Sequence, residues 1–154
     1  MIKEYPKISI ITPNYNNAAY LEDTIRSVLN QGYDNLEYII IDGGSTDDSV
    51  NIIKRYEKHL HYWVSEKDLG QSDAINKGIQ KSTGDIVAWL NSDDTYPSNA
   101  LNIVSEAFLS NNSDVIYGDV RMFGKGADQI YHNPLYDFKR SEERRVGKEC
   151  RSRW

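Results

Sequence analysis

Apolar and polar positions fall in blocks along this chain, and each block predicts an element. Lys7-Ile8-Ser9-Ile10-Ile11-Thr12-Pro13 is a short run rich in β-branched residues, followed by the turn formers Asn14-Tyr15-Asn16-Asn17. It predicts a strand and then a loop. Leu21, Ile25, Val28 and Leu29 recur at helical spacing, with Gly32 placed to close that helix. The order then repeats. Leu36-Glu37-Tyr38-Ile39-Ile40-Ile41 reads as a buried strand and 42–48 as a tight loop. Val50, Ile53 and Tyr56 mark a second helix, with Asp47 and Asp48 expected in its first turn, where its dipole favours them. A third strand is expected at 61–65, a third helix from Gln71 to Lys81, a fourth strand at 85–90 and a loop at 91–94. Pro97 is expected to open a fourth helix through Leu101, Val104 and Phe108, before a fifth strand at 114–118. Val120-Arg121-Met122-Phe123 reads as a further strand and 124–126 as a loop.

Strands alternating with helices of this length imply βαβ units and a mainly parallel sheet. The strand runs are apolar throughout, as a sheet covered on both faces requires. The predicted class is therefore α/β, a three-layer α/β/α sandwich around a mainly parallel central sheet.

Composition narrows the possibilities. The chain has 154 residues, 39% of them hydrophobic, and one cysteine. That fits one globular domain without a disulfide framework or a cysteine-based metal site. No apolar run approaches the roughly 18 residues that would cross a bilayer, and the first residues lack the layout of a signal peptide. The expected location is the cytoplasm, with peripheral attachment at the inner membrane face as the alternative. Residues 141–154 carry five basic and three acidic side chains, net +2, which leaves −7 on residues 1–140 of a chain at −5. An acidic body of this kind argues against a nucleic-acid partner.

Ligands of an open parallel sheet bind beyond the carboxyl ends of its strands. This sequence places Pro13, Asn14 and Tyr15 there, then Asp42 with Gly43 and Gly44, then Glu66, Asp68 and Gly70, then Ser92, Asp93 and Asp94, then Asp119. Carboxylates crowded on one rim raise one another's pKa unless a cation lies between them. A hard divalent ion shared with a substrate phosphate would resolve the crowding. Asp93-Asp94 is the most informative pair: one carboxylate suits a metal, its neighbour a ribose hydroxyl. Simple helix capping is the competing account of both. Asp42 at a strand end suits a base ring NH, against a plain N-capping loop built on Ser45 or Thr46. No phosphate-loop or dinucleotide-binding glycine motif occurs. His59, His61 and His132 form no ligand pattern, and no serine sits in a nucleophile elbow.

Several stretches, in this order and spacing, resemble the family 2 glycosyltransferases of the GT-A fold. They are Ile10-Ile11-Thr12-Pro13-Asn14-Tyr15-Asn16, Ser27-Val28-Leu29-Asn30-Gln31 and Glu37-Tyr38-Ile39-Ile40-Ile41-Asp42-Gly43-Gly44-Ser45-Thr46-Asp47. Residues 66–78, from Glu66-Lys67-Asp68 to Asn76-Lys77-Gly78, and 83–94, ending Asn91-Ser92-Asp93-Asp94, complete the set. The resemblance covers residues 6–119. It implies sugar transfer from a nucleotide-diphosphate donor, commonly a UDP-sugar, to a saccharide or lipid-linked acceptor hydroxyl, with inversion, in polysaccharide or glycolipid synthesis. Pro13 and Tyr15 would border the base and Asp42 would hydrogen-bond it. Asp73, Asn76 and Lys77 would face the donor, Asp93 the ribose, and Asp94 would hold Mg2+ or Mn2+. The family's general base lies after the metal motif, and neither Asp128 nor Asp137, both in sequence read as irregular, is assigned that role. Residues 1–140 are thus expected to be an incomplete GT-A nucleotide-sugar-binding domain and 141–154 a disordered or artefactual tail. A non-catalytic nucleotide-sugar-binding module and a nucleotidyltransferase are the alternatives.

Overall fold

The structure is a computed structural model that describes residues 5–110, 114–124 and 127–132. The chain divides into two units, Met1–Asn112 and Ser113–Trp154. The tail at 141–154 and Asp137 lie outside the described residues.

The first unit is built as the apolar blocks require. Its strands are β1 (Ile8–Asn14), β2 (Leu36–Asp42), β3 (Tyr62–Ser65) and β4 (Ile86–Trp89). Its helices are α1 (Ala18–Leu29), α2 (Ser49–Tyr56), α3 (Gln71–Lys81) and α4 (Ala100–Ser110). The sheet order is β3-β2-β1-β4 and every pairing is parallel. Alternate residues of the central strands point to opposite faces. Ile8, Ile10, Tyr38 and Ile40 pack with Leu21, Ile25 and Val28 of α1, Ile52 and Ile53 of α2 and Leu101 of α4. Ile11, Ile39 and Ile41 face the other way, toward Ala74 of α3. Gly78 lets α3 lie flat there, since a Cβ at this position would run into the Ile11 side chain. The result is the three-layer α/β/α arrangement read from the sequence.

At the amino end of the strands a charge is buried inside this core. Glu37, paired in register with Ser9, has a fully buried side chain. It accepts hydrogen bonds from Ser9 Oγ (2.7 Å), Thr83 N (2.7 Å) and Thr83 Oγ1 (2.7 Å), and Lys7 Nζ lies 2.6 Å away. Burial pushes the carboxyl pKa up, but the hydrogen bonds from Lys7, Ser9 and Thr83 more than offset it and hold the value at about 2.

Three local expectations are corrected. The helix after Pro97 starts three residues later, at Ala100, because Asn99 is left-handed (φ +67°) and the Pro97–Ala100 turn cannot run on as helix. Gln31 of the first helix's exit turn accepts from Leu101 N (3.3 Å) and donates to the Pro97 carbonyl (3.0 Å), so it caps α4 from outside. Asp47 and Asp48 precede α2 instead of lying in its first turn. The Asp47 carboxylate accepts from Ser49 N (3.0 Å) and from Ala18 N (2.9 Å), and so serves the start of two helices. No strand forms at 114–118. Val115 is 74% exposed there, and β-branched residues do not form a strand without a partner ladder.

The second unit contains an antiparallel pair, β5 (Val120–Gly124) and β6 (Ala127–Tyr131). The further strand expected at 120–123 is β5. Asp128, read as lying in irregular sequence, sits in β6 opposite Phe123 and takes a two-pronged bond from Arg121 (2.8 and 3.0 Å). Among the described residues no helix is long and apolar enough to cross a membrane.

Candidate functional site

The register gathers three polar residues on one rim: Asn14 of β1 pairs with Asp42 of β2, and Asp42 with Ser65 of β3. The chain places β2 on one side of β1 and β4 on the other, so the order reverses at β1. Beyond the carboxyl ends of β1 and β4, such a reversal opens a crevice.

Asp42 is fully buried on this rim. One oxygen accepts from Asn14 Nδ2 (2.6 Å) and Ser45 Oγ (2.5 Å), the other from Ser45 N (2.9 Å) and Ser65 Oγ (2.6 Å). Both Asp42 oxygens are thus committed within the protein. Asn14 Oδ1 is buried and has no hydrogen-bond partner among the described residues, an unmet acceptor beside this network. Gly43 and Gly44 are demanded by close packing. A Cβ on Gly43 would sit 2.8 Å from the Asp68 carboxylate, and Gly44 has φ +81° with the Lys67 backbone 3.2 Å from its would-be Cβ.

The α3 residues lie on one helical stripe, Asp73 and Lys77 four apart and Asn76 between. Gly70 precedes the helix at φ +107°. Asp73 Oδ2 accepts from Leu69 N (3.1 Å) and lies 3.4 Å from Lys77 Nζ. Lys77 Nζ also donates to Glu66 Oε1 (3.0 Å), and the Glu66 hydrogen bond, together with Asp73, raises the lysine pKa. Lys77 is therefore a half-buried fixed cation, and Asn76 is exposed.

The loop after β4 is held from several sides. Leu90 N donates to Ile11 O (2.9 Å) and Asp94 N to Asn91 O (3.0 Å). Asn17 Nδ2 donates to Ser92 Oγ (2.9 Å), and Thr24 Oγ1 to the Asp94 carbonyl (2.8 Å). Gln71 Nε2 donates to Asn91 Oδ1 (2.6 Å), and Asn91 Nδ2 to Asp94 Oδ2 (3.1 Å). The loop is thereby clamped, with Asp93 exposed and the Asp94 carboxyl at the surface but partly desolvated by its neighbours. The Asp94 pKa is raised, first by burial and also by the Asp93 charge, against the pull of the Asn91 hydrogen bond. A carboxylate that resists ionising in this way, next to a second one, would welcome a cation. Among the described residues no group of three or more acidic, histidine or cysteine side chains converges to hold a metal ion. The exposed Asp93–Asp94 pair fits an ion that takes one or two carboxylates and completes its shell with water and substrate phosphate.

Pro13 is buried, in register with Ile41, and Tyr15 stands 59% exposed just past the end of β1. Pro13, Tyr15 and Asp42 belong to the β1 and β2 ends, Asp73, Asn76 and Lys77 to α3, and Asp93 and Asp94 to the β4 loop. Asp119 lies in the second unit, 2.7 Å from His132 Nδ1. Sequence reasoning did not assign roles to Asn17, Ser65, Gln71 or Asn91. The signal was present for two of them: Gln71 and Asn91 lie in the quoted motifs, each an amide two residues before an aspartate.

Residues 9–152 match the sequence model of the family described as Glycosyl transferase family 2. The putative teichuronic acid biosynthesis glycosyltransferase TuaG of Bacillus subtilis is 35% identical over 135 residues, which cover 84% of this chain and 54% of that protein. The mannosyltransferase PcManGT from Pyrobaculum calidifontis, solved with GDP-Man and Mn2+, superposes with a TM-score of 0.61 at 27% identity over 68% of this chain and 33% of that one. S. aureus TarS 1–349, solved with UDP, superposes with a TM-score of 0.63 at 25% identity over 70% of this chain and 33% of that one. The chain spans about half the length, or less, of the curated relatives it matches.

Proposed function

Because the chain belongs to the family 2 glycosyltransferases, we propose that its sheet rim binds a nucleotide-diphosphate sugar, a UDP-sugar in the first instance, with a divalent cation at Asp94. The supporting observation is the β4 loop: its backbone is clamped at the reversal of strand order, and it presents an exposed carboxylate pair whose second member has a raised pKa. Neighbouring structures of GT-A transferases hold GDP-Man with Mn2+ or UDP, which supports both the ligand class and Mg2+ or Mn2+ as its companion.

In this reading each part of the rim has one task. Pro13 supplies a rigid buried wall and Tyr15 an aromatic face for the base. Asp42 takes the base imino hydrogen after one of its two serine hydroxyl donors rotates away, a small cost because hydroxyls turn freely. Asp93 accepts from the ribose hydroxyls. Asp73, Asn76 and Lys77 line the donor, with the Lys77 ammonium already fixed between two carboxylates. When bound at Asp94, Mg2+ or Mn2+ supplies Lewis-acid stabilisation of the departing diphosphate. The acceptor is a saccharide or lipid-linked hydroxyl in polysaccharide or glycolipid synthesis, attacked with inversion. Residues 1–140 then form a donor-binding domain without an assigned general base. Of the two carboxylates considered for that role, Asp128 is held by Arg121.

Calorimetric titration with UDP, with and without Mn2+, tests this reading. The expected result is binding that strengthens with Mn2+ and loses that gain, roughly 100-fold, in Asp94→Ala. Equal affinity in the two proteins sinks the assignment of the cation to Asp94. Binding of GDP in place of UDP would replace the base and keep the rest.

A further inference from the structure

We propose that Gln71 and Asn91 are positioning residues for Asp94: a two-step amide relay from the first turn of α3 fixes one oxygen of that carboxylate and leaves the other for the cation. The proposal rests on the reading of Asp94 as the cation's ligand. Gln71 Nε2 donates to Asn91 Oδ1 at 2.6 Å, and Asn91 Nδ2 donates to Asp94 Oδ2 at 3.1 Å. No hydrogen bond reaches Asp94 Oδ1 among the described residues.

The chemistry fixes the direction of the relay. A carboxylate only accepts, so Asn91 must turn its NH2 group to Asp94. Its carbonyl oxygen then faces Gln71, which must answer with its own NH2 group. A single orientation of both amides satisfies the chain. An aspartate without such a partner rotates about its last torsion and presents either oxygen. Residues that orient a metal ligand in this way commonly change metal affinity 10–100-fold when removed.

The relay is separable from the scaffold. The loop is held by Thr24 on the Asp94 carbonyl, by Asn17 on the Ser92 side chain and by its own backbone turn, none of which involves the Gln71 side chain. Gln71 is also the first residue of the helix that carries Asp73, Asn76 and Lys77. One side chain therefore ties the proposed donor-lining helix to the cation's ligand across 20 residues of sequence.

The test measures free Mn2+ by electron paramagnetic resonance with the 154-residue chain and UDP, and again with GDP. Gln71→Ala and Asn91→Ala are each expected to weaken Mn2+ uptake by about tenfold or more. Metal-free nucleotide affinity and Tm should stay at the wild-type value. Gln71→Glu, which turns an acceptor toward Asn91 Oδ1, should lose at least as much as Gln71→Ala. If Asp94→Ala loses Mn2+ while both amide variants keep it, the relay is wrong and the reading of Asp94 stands. If Asp94→Ala takes up Mn2+ like the wild type, or the wild type takes up none with either nucleotide, that reading fails and the relay falls with it. A fall in Tm and metal-free affinity in step with Mn2+ uptake marks the two amides as merely structural and overturns the proposal.

Discussion

The two ends of the same parallel sheet treat a carboxylate in opposite ways. At the amino end, Glu37 is buried among Lys7, Ser9 and Thr83, and its pKa is held at about 2. At the carboxyl end, Asp94 keeps a single side-chain donor, lies beside Asp93 and has a raised pKa. The first carboxylate is more hidden yet more comfortable as an anion, because its partners are built in. The second is more open yet less comfortable, because a single side-chain donor offsets its desolvation and the Asp93 charge only in part; in the proposed reading a ligand brings the rest. Burial alone thus does not make a carboxylate a site candidate; incomplete compensation at an accessible strand end does.

This contrast can be broken most forcefully at Glu37. Replacing it by Ala removes the acceptor of the Ser9 hydroxyl and the Thr83 amide and the counter-charge of Lys7, and a loss of about 3–5 kcal/mol is expected in urea unfolding. A loss under about 1 kcal/mol would show that the buried ion pair does little for the fold.

Acid should act through the same group. Its pKa is lowered from 4.5 unfolded to about 2 folded, so the stabilisation is fully present above pH 4.5 and fades as pH falls toward 2. A loss on the order of 3 kcal/mol is expected across that window. Glu37→Gln should flatten this part of the profile.

Asp94 should behave in the reverse sense. Its raised pKa means that ionisation works against the folded state, so Asp94→Asn should not lower Tm even as nucleotide binding loses its metal dependence. A clear drop in Tm would make Asp94 a second structural carboxylate and erase the contrast. The smallest effect is expected at Arg121→Ala, which removes a solvent-exposed pair with Asp128 and should leave the unfolding midpoint unchanged.

Much of this was legible in the chain because the signals are local. The apolar blocks at 7–13 and 36–41 give β1 and β2, and the stretch from Gln71 to Lys81 gives α3 without adjustment. The rim followed from the positions of Asp42, Asp93 and Asp94 after strands. What escaped depends on contacts between distant residues. The start of α4 is set by the backbone of Asn99 and by the Gln31 side chain, not by Pro97. The run at 114–118 has strand composition but no strand. Glu37 stood inside an apolar strand as an unexplained charge until the fold brought Lys7 and Thr83 to it. The Gln71–Asn91 bond links two motifs that sequence shows only side by side in order.

The strand order carries one more consequence. β4 pairs with β1 on one side only, and among the described residues its other side pairs with nothing. Val87 and Trp89, two apart on one face of β4, stand 44% and 59% exposed. An open edge bearing a tryptophan is a template for strand addition between molecules.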